Sequence, residues 1–173
     1  MKRFALISMI LVFTTVNLFA VKVGEILPHI ILSVKNGGLY DNRAWDCNSL
    51  KGKWHILLYM DPDAKEEAMP FIEKLNRANL SSKRYSTIAI VNLAATWMPN
   101  SILKKMLNEN QKNLNNTQFI FDQTKYLVKK WYMVDNTSNI LIIDKNMKVI
   151  YKKSGKVSAQ EQKKILNLIK NSI

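Results

Sequence analysis

The amino-acid sequence predicts one α/β domain, a three-layer α/β/α sandwich around a mixed sheet. Short apolar and β-branched runs alternate with segments in which apolar residues recur at helical spacing. Two of the runs, residues 54–60 and 85–93, are apolar along nearly their whole length, as is typical of parallel strands covered on both faces. The chain has 173 residues and is 47% hydrophobic, which is enough for one packed domain behind a leader segment.

Residues 1–20 have the features of an export signal. Lys2 and Arg3 give a basic start, an apolar run follows, and Ala20 offers a small residue at the cleavage point. The apolar run is shorter than the ~20 residues that a membrane-spanning helix needs. We therefore expect cleavage after Ala20, a domain formed by residues 21–173, and a periplasmic location. A signal kept uncleaved as a membrane anchor is the alternative.

The first element of the domain is predicted to be a β-hairpin. Residues 29–34 are rich in β-branched and apolar side chains, Asn36-Gly37-Gly38 is a turn sequence, and residues 39–40 begin a return strand. The pattern predicts an N-terminal hairpin that extends the main sheet.

The buried strand at residues 54–60 leads directly into a helix. Asp61 is suited to the N-cap and Pro62 to the first helical position. Apolar residues at helical spacing predict one helix that continues to residue 78, with Pro70 early enough to kink it without ending it.

The rest of the chain alternates strands and helices and closes with a hairpin and a helix. Asp122 and Ser158 are predicted to cap helices, and Glu161 completes a capping box with Ser158. The predicted elements are a strand at 85–93, a helix at 101–110, a strand at 119–121, a helix at 122–132, strands at 139–143 and 148–151, and a helix from residue 158. This order is the thioredoxin-like arrangement.

Several segments resemble known families. Residues 23–28 and 50–54 look like the front half of secreted thiol-disulfide oxidoreductases and peroxiredoxins. The chain more closely resembles the YtfJ family of small exported bacterial proteins. The matching pieces are Trp45 and residues 84–92, 118–122, 130–131 and 138–149. The resemblance implies a periplasmic thioredoxin-like domain.

The resemblance also locates the positions at which redox residues are expected. The paired cysteines of an active oxidoreductase would fall at Ala64 and Glu67, and the proline that faces them would fall near Ser138. None of the three is Cys or Pro. The resemblance therefore implies a fold that is retained without its redox chemistry.

Four acidic residues follow the central strand: Asp61, Asp63, Glu66 and Glu67. They are potential ligands for a hard cation such as Ca²⁺. However, negative charge in a first helical turn is an ordinary stabilising device, because it meets the positive end of the helix dipole. We expect helix capping here, with no metal and no cofactor.

A binding surface is predicted at the same end of the sheet. Trp97 and Met98 lie in a loop after a strand, where α/β proteins commonly bind ligands. Together with Asp61 and Asp63 they form the candidate surface. The alternative is that Trp97 and Met98 only cover the core.

Cys47 is the single cysteine, so it has no internal disulfide partner. It is predicted to be buried and inert, as free cysteines commonly are. The alternative is a single-cysteine thiol enzyme, either peroxidase-like or acting through mixed disulfides, which needs an exposed Cys47 with a lowered pKa. His55, inside the apolar strand, is predicted to be a hydrogen-bonded core histidine.

The chain has a formal charge of +13 but contains no nucleic-acid-binding motif that would explain it. The 26 basic residues are spread along the chain without a basic run interleaved with aromatics, so no nucleic-acid partner is expected. The sequence thus predicts an exported, redox-inactive, non-enzymatic binding or accessory protein. Its expected partner class is another periplasmic protein.

Overall fold

Alternating strands and helices form a mixed sheet between two helical layers in a computed structural model that describes residues 20–78, 80–111, 114 and 116–172. The strands are β1 Ile31–Leu32, β2 Gly37–Gly38, β3 Trp45–Asp46, β4 Trp54–Met60, β5 Tyr85–Asn92, β6 Thr117–Asp122, β7 Asn139–Ile143 and β8 Val149–Ser154. The α-helices are α1 Met69–Arg77, α2 Asn100–Gln111, α3 Tyr126–Trp131 and α4 Ala159–Ser172, and short 3₁₀ helices span Cys47–Leu50, Pro62–Glu67 and Leu93–Ala95.

The centre of the sheet is parallel, as the two continuous apolar runs predict. The six strands of the main sheet lie in the order β2-β6-β5-β4-β7-β8, and β4, β5 and β6 run parallel. Leu57 of β4 pairs with Ile88 of β5, and Ile90 pairs with Ile120 of β6. Both faces of these strands are buried because helices cover each side.

Alternate residues of the central strands contribute to separate apolar clusters. On one face, α3 and the N-terminal segment cover the sheet, and Trp131 is fully buried there with its indole Nε1 donating to the Pro28 carbonyl at 2.9 Å. On the other face α1, α2 and α4 supply the apolar side chains, among them Phe71 and Ile165. The predicted three-layer sandwich with a mixed sheet is confirmed.

The antiparallel edge also agrees with the prediction. Strand β7 pairs antiparallel with β4, and β8 pairs antiparallel with β7. Asp144 closes the turn between β7 and β8, because its Oδ1 accepts hydrogen bonds from the amides of Asn146 at 2.8 Å and Lys148 at 2.9 Å.

The N-terminal extension is a two-stranded antiparallel sheet, but its return strand is not the predicted one. Strand β1 pairs with β3, so the partner of Leu32 is Trp45. The predicted return strand at residues 39–40 is wrong, since Gly37 and Gly38 instead pair with the end of β6. At Gly37 the backbone comes so close that a Cβ would lie 1.8 Å from the Phe121 carbonyl oxygen. A side chain cannot fit there. Glycine at this position therefore allows the backbone to pair closely with β6.

The single kinked helix predicted after β4 is also wrong. The chain forms a 3₁₀ helix over Pro62–Glu67 and then a separate helix, α1. Ala64 has non-helical angles, φ −108° and ψ 20°, and Pro70 lies at the start of α1, where its missing N–H costs no helical bond. The N-cap role of Asp61 is confirmed, because its carboxylate accepts from the Asp63 amide at 2.9 Å.

The helix predicted from Asp122 begins later, since Asp122 ends β6 and α3 starts at Tyr126 with Lys125 at its N-cap position. The Asp122 carboxylate still accepts from the amides of Thr124, Tyr126 and Leu127, so it holds the start of α3 from outside the helix. The capping box predicted for α4 is present. Ser158 and Glu161 form the predicted capping box, with 3.2 Å from the Glu161 amide to the Ser158 hydroxyl and 2.9 Å from the Ser158 amide to the Glu161 carboxylate.

The predicted export signal lies almost wholly outside the described residues, which begin at Ala20. Within the described ranges, the helices are too short or too polar to span a bilayer.

Candidate functional site

The candidate site is built at the carboxyl ends of the parallel strands. Asp61, Asn92 and Asp122 follow or end β4, β5 and β6, and all three are buried. Tyr59 donates a hydrogen bond to Asp122 at 3.2 Å, and burial raises the pKa of its phenol. The Asn92 Oδ1 is buried without a hydrogen-bond partner among the described residues. Polar groups therefore concentrate at this end of the sheet, where α/β folds place ligands.

The structure brings together the three positions at which redox residues were expected. Ala64 and Glu67 lie in the 3₁₀ helix, and Ser138 directly precedes β7. The Ser138 amide donates to Glu67 Oε2 at 2.9 Å, and the Ser138 hydroxyl lies 3.4 Å from the Ala64 carbonyl oxygen. The sequence predicted which residues stand here but not the bonds between them.

The Glu67 carboxylate is held as an anion. Hydrogen bonds from the Thr137 hydroxyl, at 2.5 Å, and from the Ser138 amide lower its pKa below the usual value of 4.5. Glu67 is the last residue of the 3₁₀ helix, so its predicted place in a first helical turn is wrong, and it bonds instead to the loop before β7. A fixed carboxylate therefore stands at a position where the resemblance led us to expect a cysteine.

A second connection joins the 3₁₀ helix to the loop after β5. The Thr96 hydroxyl donates to Asp63 Oδ1 at 2.9 Å and lies 3.3 Å from the Met98 amide. Of the four predicted acidic residues, three therefore have partners within the chain: Asp61, Asp63 and Glu67. Glu66 is exposed.

Trp97 and Met98 differ in their surroundings. Trp97 is 87% exposed, so it does not cover the core. Met98 is partly buried against the apolar cluster of β5, β6 and α2. The two alternatives for this loop therefore apply to different residues: Met98 packs on the core, while Trp97, next to Thr96 in the chain, offers an aromatic side chain to solvent.

Cys47 is fully buried, as predicted. Its sulfur accepts a hydrogen bond from the Ile30 amide at 3.2 Å, and burial raises the pKa of its thiol. The single-cysteine alternative requires an exposed thiol with a lowered pKa, so both properties are opposite to that requirement.

His55 is a hydrogen-bonded core histidine, as predicted. It is 6% exposed, its Nε2 lies 2.9 Å from the Leu50 carbonyl oxygen, and its Nδ1 lies 2.8 Å from the Ser86 hydroxyl. Burial lowers its pKa to about 4. The imidazole is therefore neutral at pH 7, which leaves Nε2 to donate to Leu50 and Nδ1 to accept from Ser86.

Sequence reasoning missed an open cavity of about 600 Å³ beside His55. Its walls come from β4, β5, the start of β6 and the segment around Trp45, which are far apart in the chain. The Trp45 indole Nε1 is buried without a partner among the described residues. No local motif marks such a cavity, because only the strand order brings these residues together.

Known proteins share this architecture. The uncharacterized protein YtfJ of Escherichia coli (strain K12) is 27% identical over 134 residues, which are 75% of this chain and 72% of that protein. The exposed lipoprotein thioredoxin Etrx1 of Streptococcus pneumoniae superposes with a TM-score of 0.56 at 15% identity, covering 82% of this chain and 99% of that one. For the thiol peroxidase of Chromobacterium violaceum the TM-score is 0.61 at 16% identity, and 88% of each chain is covered.

These structural similarities confirm the predicted thioredoxin-like fold. A family described as a bacterial protein of unknown function, YtfJ_HI0045, matches residues 22–172, which is nearly all of the domain. The chain therefore belongs to the YtfJ_HI0045 family.

Proposed function

We propose that this protein is a non-enzymatic binding or accessory protein of the periplasm that uses a thioredoxin-like fold without redox chemistry. The main supporting observation is the Glu67 carboxylate. It stands at a position where the resemblance expects a cysteine, and it is hydrogen-bonded to Thr137 and Ser138.

The state of Glu67 explains why redox chemistry is not expected at this turn. A reactive cysteine is activated when a helix start or nearby cations stabilise its thiolate. Here the turn carries the acidic residues Asp61, Asp63 and Glu67. The Thr137 hydroxyl and the Ser138 amide donate hydrogen bonds to Glu67. They stabilise a carboxylate, which neither transfers electrons nor forms a disulfide.

A surface suited to protein binding lies at the same turn. Trp97 is 87% exposed, and its loop is tied to the 3₁₀ helix by the bond between Thr96 and Asp63. An anchored loop presents its tryptophan at low entropic cost, and tryptophan is enriched among the residues that dominate binding energy at interfaces. The partner is expected to be another periplasmic protein that covers Trp97.

The proposed periplasmic location is supported by a sequence pattern and by a structural similarity. Residues 1–20 have the pattern of an export signal. The structurally similar Etrx1 is an exposed lipoprotein, so the same fold occurs outside the cytoplasm. Fractionation of cells that express the protein, with mass spectrometry of its N-terminus, tests both the location and cleavage after Ala20.

Thiol chemistry is tested directly on the purified protein. We expect no dithiol-dependent reduction of insulin and no turnover of hydrogen peroxide, because Cys47 is buried and has no second cysteine to resolve it. Activity that disappears in Cys47→Ser would contradict the proposal and establish the single-cysteine thiol enzyme instead.

Binding is tested by photo-crosslinking in living cells. A benzophenone amino acid replaces Trp97 in one variant and Tyr40, 45% exposed in the N-terminal region, in the matched control. We expect a discrete protein adduct at position 97 and none at position 40. Equal labelling at both positions, or no adduct at position 97, would overturn the proposed surface.

A further inference from the structure

We propose that His29, Asp46 and Cys47 form a binding site for a divalent transition-metal ion of the zinc class. This inference goes beyond the proposed function, because none of the three residues belongs to the turn at Asp61. It also departs from the sequence-based expectation of no metal. The two-stranded sheet β1–β3 creates the site by placing residues 17 positions apart next to each other.

The three side chains converge on one small volume. One ligand atom from each, the imidazole nitrogen, the carboxylate oxygen and the sulfur, lies within 4.8 Å of the others. His29 Nε2 is 2.9 Å from Asp46 Oδ1. Around a tetrahedral zinc ion with bonds of 2.0–2.3 Å, ligand atoms are roughly 3.3–3.7 Å apart. Side-chain movements of about 1 Å or less therefore give the required geometry.

The sulfur already has the hydrogen bond that a metal thiolate uses. The Ile30 amide donates to Cys47 Sγ at 3.2 Å, and the Asn48 amide donates to Asp46 Oδ1 at 2.7 Å. Such donors behind the ligand atoms orient them and stabilise their negative charge. Both donors are backbone groups, so the arrangement does not depend on flexible side chains.

An ion can reach two of the three ligands from solvent. The side chains of His29 and Asp46 are 52% and 46% exposed, whereas Cys47 is fully buried. A cavity of about 450 Å³, lined by His29, Asn48 and Lys51 among others, adjoins the imidazole. Three protein ligands leave the fourth position of a tetrahedral ion for a water molecule or a small anion.

The ligand types select the class of ion. A thiolate, an imidazole and a carboxylate suit zinc and its neighbours in the first transition series, whereas Ca²⁺ and Mg²⁺ require oxygen ligands. The negative charges of the Cys47 thiolate and the Asp46 carboxylate balance the two positive charges of the ion. The bound ion therefore does not repel the Lys51 ammonium beside the cavity. Binding replaces the S–H bond of Cys47 by a metal–sulfur bond and releases one proton to solvent.

The test measures zinc and cobalt binding by the purified protein. We expect one Zn²⁺ per chain by equilibrium dialysis, a rise in the melting temperature on adding Zn²⁺, and a thiolate-to-cobalt charge-transfer band with Co²⁺. His29→Ala is the main variant, since His29 is exposed and its removal leaves the core intact. Asp41→Asn, which changes an exposed carboxylate bonded to Arg43, is the matched control.

We expect Zn²⁺ affinity to fall at least about tenfold in His29→Ala and Cys47→Ala and to stay unchanged in Asp41→Asn. Absence of the cobalt–sulfur band in the wild type, or equal zinc affinity in His29→Ala and Asp41→Asn, would overturn the site. Trp97→Ala should bind zinc like the wild type, so failure of the metal site and failure of the proposed binding surface are distinguishable.

Discussion

The segment that contains Cys47 and the turn that contains Glu67 share the same local structure but differ in the environment of the key side chain. In each, a strand ends, an aspartate caps a 3₁₀ helix, and the carboxylate accepts the amide two residues on: Asp46 from Asn48 and Asp61 from Asp63. The first segment retains a thiol and buries it completely. The second holds a carboxylate, Glu67, bonded to the loop before β7.

The difference shows that burial and not local geometry decides the chemistry. Burial raises the pKa of the Cys47 thiol, so it is a poor nucleophile although it begins a helix-like turn. Hydrogen bonds lower the pKa of Glu67, so the position nearer to solvent is anionic. We therefore propose a structural or metal-binding role for the Cys47 thiol and a surface role for the turn that contains Glu67.

The largest expected effect is that of Cys47→Ala on stability. Removing the sulfur leaves the buried Ile30 amide without its partner, which costs about 1–3 kcal/mol in the free energy of unfolding. Ala64→Ser, at a half-buried position where the resemblance led us to expect a cysteine, is the matched variant and should change that free energy by less than about 0.5 kcal/mol. Urea unfolding followed by circular dichroism measures both. Similar losses in the two variants would contradict the contrast in burial.

Of the two capping aspartates, the more buried one should also contribute more to the free energy of unfolding. Asp61 is 4% exposed, whereas the Asp46 side chain is 46% exposed. We expect Asp61→Ala to lose about 1–2 kcal/mol and Asp46→Ala about 0.5–1 kcal/mol, because water replaces the exposed cap more easily. Urea unfolding without added metal checks this. A greater loss of stability in Asp46→Ala than in Asp61→Ala would contradict the expectation that the buried cap contributes more.

Glu67→Gln should have a smaller, pH-dependent effect. The pKa of Glu67 is lower in the folded protein than its usual value of 4.5, so its ionised form adds stability above that pH. This contribution, about 1 kcal/mol or less at a partly exposed site, is lost as the pH falls through the folded pKa. The stability difference between wild type and Glu67→Gln should therefore shrink from pH 7 to pH 3. A difference that stays constant would exclude the ionised hydrogen bond.

Trp97→Ala should change stability least. Its side chain is 87% exposed, so the melting temperature should match that of the wild type within error, with a free-energy change below about 0.5 kcal/mol. Loss of partner binding in a pull-down, with unchanged stability, would separate the surface role of Trp97 from folding. Met98→Ala is the contrasting variant and should destabilise the protein, because Met98 packs on the apolar cluster.

Local patterns predicted well wherever neighbouring residues make the deciding contacts. The capping box of Ser158 and Glu161, the cap at Asp61 and the β7–β8 turn at Asp144 all join residues a few positions apart. Among the predictions that were wrong, the helix after β4 breaks locally at Ala64, whereas the N-terminal hairpin involves distant partners. The return strand was assigned to residues 39–40, but β1 pairs with β3, since Gly37 and Gly38 are taken up by β6.

The candidate site divides in the same way. The sequence indicated Asp61, Asp63, Trp97 and Met98, yet only the folded chain shows that Trp97 is exposed while Met98 is partly buried. The bond between Thr96 and Asp63 spans 33 residues and has no local signature. The same holds for His29 and Asp46, whose contact no local pattern predicts.

By itself the sequence determined the fold class, the buried strands and the local caps, because periodicity and residue type are local properties. The absence of redox residues at Ala64, Glu67 and Ser138 is what the resemblance to thiol-disulfide oxidoreductases implies. Only the tertiary structure decided that Glu67 is bonded to Ser138, that the buried Cys47 lies close to His29 and Asp46, and that Trp97 faces solvent. The physical reason is that burial and hydrogen bonding between distant residues depend on strand order and register, which no single segment specifies.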